Sequence, residues 1–127
     1  MRSAIFYLII ALALSVIPSV GKDVPIKQSL KDGVELINLN LSGMDLTGSH
    51  LNRSDIQGCN LNGTNLSRSY LRLSDLYGTN LTNADLAGSI LEGSYFTNSD
   101  LSYANLSGAD LNCTKMNKAN LIGARAG

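Results

Sequence analysis

An apolar residue recurs at every fifth position through most of this chain. The series is unbroken over 17 positions, and all but three of its members are leucine. From the third repeat on, a small residue stands two positions before the apolar one, and Asp or Asn usually stands directly before it. A repeat this regular has to be interpreted before any secondary structure is assigned. The apolar positions are Leu41, Leu46, Leu51, Ile56, Leu61, Leu66, Leu71, Leu76, Leu81, Leu86, Leu91, Phe96, Leu101, Leu106, Leu111, Met116 and Leu121.

A period of five fits neither a helix nor a straight strand. Five residues turn an α-helix by about 500°, so successive leucines would drift by about 140° and share no face. On a strand, an odd spacing places successive leucines on opposite faces. The apolar residues share one interior only if the chain turns a corner about once per repeat. Glycine stands two positions after the apolar residue in nine of the 17 units, where a tight turn with positive φ favours it. The pattern therefore predicts a coiling solenoid with the apolar and small residues inside.

Several units resemble the A(D/N)LXX motif of the pentapeptide-repeat family. The best matches are residues 84–88 (ADLAG), 104–108 (ANLSG) and 109–113 (ADLNC), and the resemblance covers roughly two thirds of the chain. It implies an all-β fold, a right-handed quadrilateral β-helix in which four of these units complete each coil. Residues 39–127 would then form a little over four coils, stacked about 4.8 Å apart.

Residues 1–21 have the layout of a secretory signal peptide. A short basic head (1–3) precedes an apolar run (4–17), then Pro18 and the small residues Ser19 and Gly21. The run is short for a membrane span. We predict cleavage after Gly21 and a periplasmic or secreted protein, with an uncleaved segment that anchors the chain in a membrane as the alternative.

The two ends of the solenoid differ in sequence. Residues 22–38 are predicted to be a lead-in and N-terminal cap, with one or two helical turns over 25–31. Leu39 and Met44 are bulky at an inward position that is small in later units, so they are expected to plug the first coil. In the final units Met116 and Leu121 point inward, and the next inward residue is only Ala126. An open coil of this kind predicts a weak homodimer, tail to tail about a two-fold axis.

Charge and cysteine content exclude some classes of protein. The formal net charge is zero, which argues against nucleic-acid binding because that function needs a basic stripe. Cys59 falls at an inward position and Cys113 at an outward one nearly three coils later. Their Cα atoms are therefore expected to lie beyond the roughly 7 Å that a disulfide can span.

No residue pattern indicates catalysis, a cofactor or a metal centre. His50 is the only histidine, so a pair of imidazoles is not available. Asp55 and Asp75 are four units apart in the repeat and should therefore stack in adjacent coils. Two carboxylates can share a cation, but Ca²⁺ prefers six or more oxygens, so a solvent-screened surface pair is the preferred interpretation.

One face of the predicted rod departs from the repeat. Where the other faces carry Asp or Asn, it carries His50, Tyr70, Ile90 and Asp110. Leu73 stands at its corner, where glycine is usual, and Tyr95 follows on the adjoining face. Tyr70, Leu73, Ile90 and Tyr95 are the predicted protein-contact residues, although ordinary scatter of apolar residues over the surface would also produce them. At the same corner, Arg72 and Glu92 are predicted to pair as vertical neighbours.

Two functional classes remain from the sequence. The first is an exported, non-enzymatic binding or scaffold module with an unknown protein partner. The second follows from the resemblance, since some pentapeptide-repeat proteins modulate DNA gyrase by imitating duplex DNA. The signal peptide and the near-zero charge disfavour the second class.

Overall fold

The computed structural model describes residues 30–127, and all of them follow one repeating geometry. The predicted signal peptide, its predicted cleavage site and most of the one or two helical turns predicted over 25–31 lie outside the described residues. Within the described part there is no helix, and the strand-like residues are single β-bridge residues at every fifth position from 35 to 125. Residues 30–38, which the sequence analysis placed in the lead-in, have the same turn-and-bridge geometry as the later units.

Each bridge residue pairs in parallel with the residue four units later, from Glu35 with Asp55 to Asn105 with Arg125. Backbone hydrogen bonds run in both directions between coils. The Leu41 N–H donates to the Asn60 carbonyl at 2.8 Å, and the Asn60 N–H donates to the Leu39 carbonyl at 2.9 Å. A coil therefore consists of four units, one for each face, and residues 30–127 make almost five coils. The right-handed quadrilateral β-helix that the family resemblance implies is confirmed.

We name each face by one residue of its bridge column. The Tyr70 face and the Asp55 face meet at the corner that contains Arg72 and Leu73. The columns are Glu35, Asp55, Asp75, Tyr95 and Lys115 for the Asp55 face; Asn40, Asn60, Asn80, Asp100 and Asn120 for the Asn60 face; Asp45, Asn65, Asp85, Asn105 and Arg125 for the Asn65 face; and His50, Tyr70, Ile90 and Asp110 for the Tyr70 face.

The corners are four-residue turns with a left-handed residue at the third position. In one of them, the Ala84 N–H donates to the Leu81 carbonyl at 3.0 Å, and Asn83 between them has φ of 59°. A positive φ at the second central residue is typical of a type II turn. Ten of the corners use glycine at this position, as the repeat predicts, and nine use a residue with a side chain.

The core is a column of apolar side chains lined by the small residues. Leu71, Leu81 and Phe96 are completely buried. The buried hydroxyls donate to backbone carbonyls, as Ser69 Oγ does to Leu46 at 2.9 Å and Ser89 Oγ to Leu86 at 2.6 Å. Among residues 30–127, no buried side-chain nitrogen or oxygen lacks a hydrogen-bond partner. Serine is therefore compatible with the interior because its hydroxyl donates to a carbonyl that also accepts the N–H of the turn, through the second lone pair of the oxygen.

The Asp or Asn before each apolar residue has a local role. Its side-chain oxygen accepts the N–H two residues later, as Asp85 Oδ1 does from Ala87 at 3.0 Å. Twelve of the bridge residues make this Asx-type bond. At Asp100, hydrogen bonds from the hydroxyl and the N–H of Ser102 lower the pKa of the carboxyl group. The repeat thus selects Asp and Asn because they satisfy a corner N–H that no backbone carbonyl of residues 30–127 accepts.

Burial changes along the rod. Met44 is buried and Leu39 packs against the core, so both point inward as the register predicts. In the last described coil Met116 is only half-buried, and Leu121 is 42% exposed. Between residues 30 and 127, the structure has no helix with the length and apolar character needed to cross a membrane.

Candidate protein-contact surface

Two rings stack at the centre of the Tyr70 face. The His50 and Tyr70 ring centroids are 4.8 Å apart and their planes differ by 10°. The separation matches the spacing of neighbouring strands, so the parallel pairing of His50 with Tyr70 sets the stack directly. Ile90 follows Tyr70 in the next coil of the same column. The face therefore presents a short aromatic and aliphatic strip instead of the Asp and Asn of the other faces.

Leu73 extends this strip around the corner. Its backbone is left-handed, with φ of 57°, and its side chain lies over Gly93 in the next coil. A Cβ atom at Gly93 would come within 2.7 Å of Leu73 Cδ2, so the missing side chain of Gly93 makes room for Leu73. The leucine side chain is nevertheless 51% exposed.

Two tyrosines lie beyond the corner. Tyr95 is on the Asp55 face above Asp75 and is 45% exposed; Tyr77 is at the far corner of that face and is 47% exposed. The Tyr77 hydroxyl accepts a hydrogen bond from Asn98 Nδ2 at 2.8 Å, which holds the ring against the rod. Tyr77 was not among the predicted contact residues. Its position directly after a core leucine, which points outward in this register, was the signal that could have identified it.

A ladder of polar side chains compensates for the missing Asp and Asn on the Tyr70 face. Asn52 N–H donates to Asp32 Oδ1, and Arg72 N–H donates to Asn52 Oδ1, both at 2.9 Å. One coil further on, Arg72 Nη2 lies 2.7 Å from Glu92 Oε2. The ion pair is the one predicted from the sequence, but the ladder below it was missed. Its signal is the run of polar residues that recurs once per coil, at positions 32, 52, 72 and 92.

A cleft of about 190 Å³ opens at this corner, lined by Asn52, Arg53, Arg72 and Leu73. Arg53, like Leu73, has a left-handed backbone, with φ of 56°. The cleft therefore combines an amide, two guanidinium-bearing side chains and one apolar wall.

Positive charge in the middle of the rod is confined to this region. Between residues 36 and 114 the Lys and Arg residues are only Arg53, Arg68 and Arg72, and all three stand at the two corners that border the Tyr70 face. The Arg68 side chain lies over Gly88, with its Cγ 3.5 Å from where a Cβ would be. Seven Asp and Glu residues of the same span are distributed over all four faces. The Tyr70 face is thus the one place in these coils where cations border apolar rings.

The remaining reactive groups are held in structural roles. Asp55 and Asp75 pair as predicted, and Gln57 Nε2 donates to Asp75 Oδ2 at 3.0 Å. Across residues 30–127, no three His, Cys, Asp or Glu side chains are grouped so that they could hold a metal ion. Both cysteines are free, with Cys59 buried and Cys113 exposed, in agreement with the sequence prediction. Burial raises the pKa of the Cys59 thiol to about 11, and its Sγ donates to the Leu36 carbonyl.

Comparison with known families agrees with this geometry. Residues 30–106 match the family model described as "Pentapeptide repeat region", and residues 89–125 match "Pentapeptide repeats (8 copies)". The chain belongs to the pentapeptide-repeat family. A search of curated proteins finds no match to this pentapeptide-repeat protein.

Solved structures of other pentapeptide-repeat proteins are similar to this one. A protein from the Arabidopsis thaliana thylakoid lumen is 27% identical over 77% of this chain and 64% of its own, with a TM-score of 0.45. Rfr23 from the cyanobacterium Cyanothece 51142 is 24% identical over 76% and 82%, with a TM-score of 0.32. A trypsin-treated form of QnrB1, a plasmid-mediated fluoroquinolone resistance protein, is 23% identical over 73% and 57%, with a TM-score of 0.35. The chain thus spans less than two thirds of the length of the thylakoid-lumen and QnrB1 structures.

In this pentapeptide-repeat protein, the four predicted contact residues occupy one face and the corner region beside it. Tyr70 and Ile90 are bridge partners, Leu73 is at the adjoining corner, and Tyr95 is on the next face. With Tyr77, these five residues are called the contact surface below. The predicted self-association residues Met116 and Leu121 are not part of it, because they lie in the last described coil.

Proposed function

We propose that this pentapeptide-repeat protein is an exported, non-enzymatic binding or scaffold module that holds a protein partner on the contact surface. The observation that carries the proposal is the exposure of Tyr70, Leu73, Tyr77 and Tyr95, which lies between 39% and 51%. These large apolar side chains lie on the Tyr70 face, on the Asp55 face and at the two corners of the Asp55 face, and exposed apolar groups that lie close together are typical of a protein interface. Tyrosine in particular supplies contact area at a low cost in side-chain entropy.

The rod fixes the backbone of Tyr70 and the side chain of Tyr77. Tyr70 is bridged to coils on both sides, through His50 and Ile90, and the Tyr77 hydroxyl is hydrogen bonded to Asn98. A preorganised surface of this kind loses little conformational entropy when a partner binds. Solenoids use such rigid, extended faces for binding.

The groups that catalysis would require are engaged elsewhere. Buried serine hydroxyls, such as those of Ser89 and Ser99, donate to carbonyls of their own turns and so are not activated nucleophiles. The Cys59 thiol is protonated at neutral pH, and the His50 ring is stacked on Tyr70. These arrangements favour binding over chemistry.

Export is supported by residues 1–21 alone, through their basic head, apolar run and small residues before Lys22. Mass spectrometry of the protein purified from its own host tests this part of the proposal. We expect Lys22 at the new N-terminus, and a chain that retains Met1 would contradict it.

Partner binding is tested by capture in the compartment to which the chain is sent. A tagged chain is compared with Tyr70→Ser and Leu73→Gly variants, and with Asn83→Gly as the matched control at the diagonally opposite corner. Quantitative mass spectrometry of the captured proteins is expected to show at least one protein that both contact-surface variants lose and the control retains. Equal capture by all four chains would reject the contact surface as a binding site.

A further inference from the structure

We propose that the partner presents an acidic segment, with a carboxylate in the Arg53–Arg72 cleft and apolar side chains over Tyr70 and Leu73. This inference rests on the proposed function and adds the chemistry of the partner. Its first support is the distribution of charge. Between residues 36 and 114, every Lys or Arg borders the Tyr70 face, whereas carboxylates occur on all four faces.

Between residues 36 and 114, an acidic ligand therefore meets cations only at the two corners that border the Tyr70 face. At the other faces it meets carboxylates such as those of Asp85 and Asp100, and the sequence has no Lys or Arg between residues 73 and 114. The effect is local, because charges further apart than about 8–10 Å are screened at physiological salt. The zero net charge of the chain thus does not exclude a local group of cations, which in this span is Arg53, Arg68 and Arg72.

The cleft has the donors that a carboxylate needs. Asn52, Arg53 and Arg72 surround it, and a guanidinium forms two parallel hydrogen bonds with a carboxylate. Arg72 Nη2 already lies 2.7 Å from Glu92 Oε2, and the side chains of Arg72 and Glu92 are 54% and 40% exposed. A carboxylate of the partner can bridge Arg53 and Arg72 from the solvent side, and Leu73 forms the apolar wall beside it.

The positive region is short, which favours a peptide segment over a nucleic acid. It is bounded along the rod by Asp32 at the first described coil and by Asp110 at the last. Only two neighbouring coils, those of Arg53 and of Arg68 with Arg72, carry the cations, so the region is about 5–10 Å long. A polyanion that continued along the rod would meet Glu92 and Asp110, whereas one or two carboxylates of a peptide would fit between them.

The corner geometry offers variants that remove a side chain without damaging the turn. Arg53 and Arg68 have φ of 56°, a conformation that glycine adopts at lower cost. Arg53→Gly and Arg68→Gly are therefore expected to fold at least as well as the parent chain. Asn83→Gly makes the same backbone change at φ of 59° on the opposite corner, and it is the matched control.

The experiment uses a displayed library of random dodecapeptides, selected on the full chain and counter-selected on the Arg53→Gly/Arg72→Gln variant. We expect the enriched peptides to combine Asp or Glu with Leu, Phe or Tyr. In fluorescence polarisation, an enriched peptide should bind the Arg53→Gly/Arg72→Gln variant at least about tenfold more weakly than it binds the parent chain. The same peptide with its acidic residues changed to Asn or Gln should bind the parent chain more weakly by a similar factor. Asn83→Gly should bind as the parent chain does.

The outcomes separate this inference from the proposed function. Enrichment of neutral or basic peptides, no enrichment relative to the variant, or tighter binding of single-stranded oligo-dT than of any acidic peptide would overturn the acidic partner. If capture from the native compartment is lost with Tyr70→Ser but unaffected by Arg53→Gly/Arg72→Gln, the contact surface stands and its acidic preference fails. If neither variant affects capture, both proposals fail.

Discussion

Replacing Gly93 by alanine tests whether neighbouring coils are packed through their corner glycines. Gly93 has φ of +69°, and an L-residue in the left-handed region costs about 1–2 kcal/mol relative to glycine. The new Cβ would also lie 2.7 Å from Leu73 Cδ2. Since Leu73 is half exposed and flexible at its end, it can rotate away for about 0.5–1.5 kcal/mol. The expected loss in the free energy of unfolding is therefore about 1.5–3.5 kcal/mol.

Gly78→Ala isolates the backbone part of this cost. Gly78 has nearly the same φ, +64°, but nothing lies within 4 Å of its added Cβ. Guanidinium unfolding followed by circular dichroism measures both variants, with Leu73→Ala and Leu73→Ala/Gly93→Ala completing a double-mutant cycle. We expect Gly93→Ala to lose more stability than Gly78→Ala, and the difference to disappear when residue 73 is alanine. Equal losses at the two glycines, or an excess at Gly93 that remains without the leucine side chain, would refute the packing argument.

Three further changes test the core, the buried thiol and the open coil. Leu81→Ala should lower the free energy of unfolding by about 2–5 kcal/mol, because Leu81 is completely buried, whereas Asn83→Ala on the surface should cost much less; similar losses in denaturant would contradict the register. A thiol reagent should label Cys113 in the native protein and Cys59 only after unfolding. Because the pKa of Cys59 is raised from 9.0 to about 11, the contribution of its thiol to stability should be constant below pH 9 and should fall as the pH rises toward 11. In thermal melts, Cys59→Ala should remove that part of the decline in stability. Leu121→Lys should abolish any weak dimer formed through the last described coil, as sedimentation equilibrium would show; a monomeric parent chain at high micromolar concentration, or a dimer indifferent to this substitution, would exclude that interface.

The fold was predictable because each position of the five-residue unit meets one physical requirement. The interior favours leucine at one position because apolar side chains are buried there, and it leaves room only for a small residue at a second position. The turn favours glycine at a third position because the backbone there has a positive φ. The vertical pairs Asp55 with Asp75 and Arg72 with Glu92 followed from the coil length of four units, which the family resemblance supplied. Interior positions thus follow from the register without further information.

Outward side chains follow no comparable rule. The sequence does not show that Leu73 leans over Gly93, since the direction of an outward side chain depends on its rotamer and not on the register. It also does not show that Asn52 accepts the N–H of Arg72, because the same amide could have bonded within its own turn. Tyr77 was missed for the same reason. A solvent-facing position tolerates any residue, so the residue found there indicates a contact surface only once its neighbours in space are known.

The coil length of four units restricts how such a chain can gain or lose length. A duplication of four consecutive units would add one coil and leave every downstream column aligned with the one below it. A duplication of a single unit between His50 and Tyr70 would also keep each leucine inside and the rod intact. It would, however, turn everything downstream by a quarter of a revolution, so that Tyr70 no longer stacked on His50 and Arg72 no longer stood above Asn52. Insertions of whole units thus preserve the leucine core, whereas the contacts and the composition of the surfaces are preserved only when units are added four at a time.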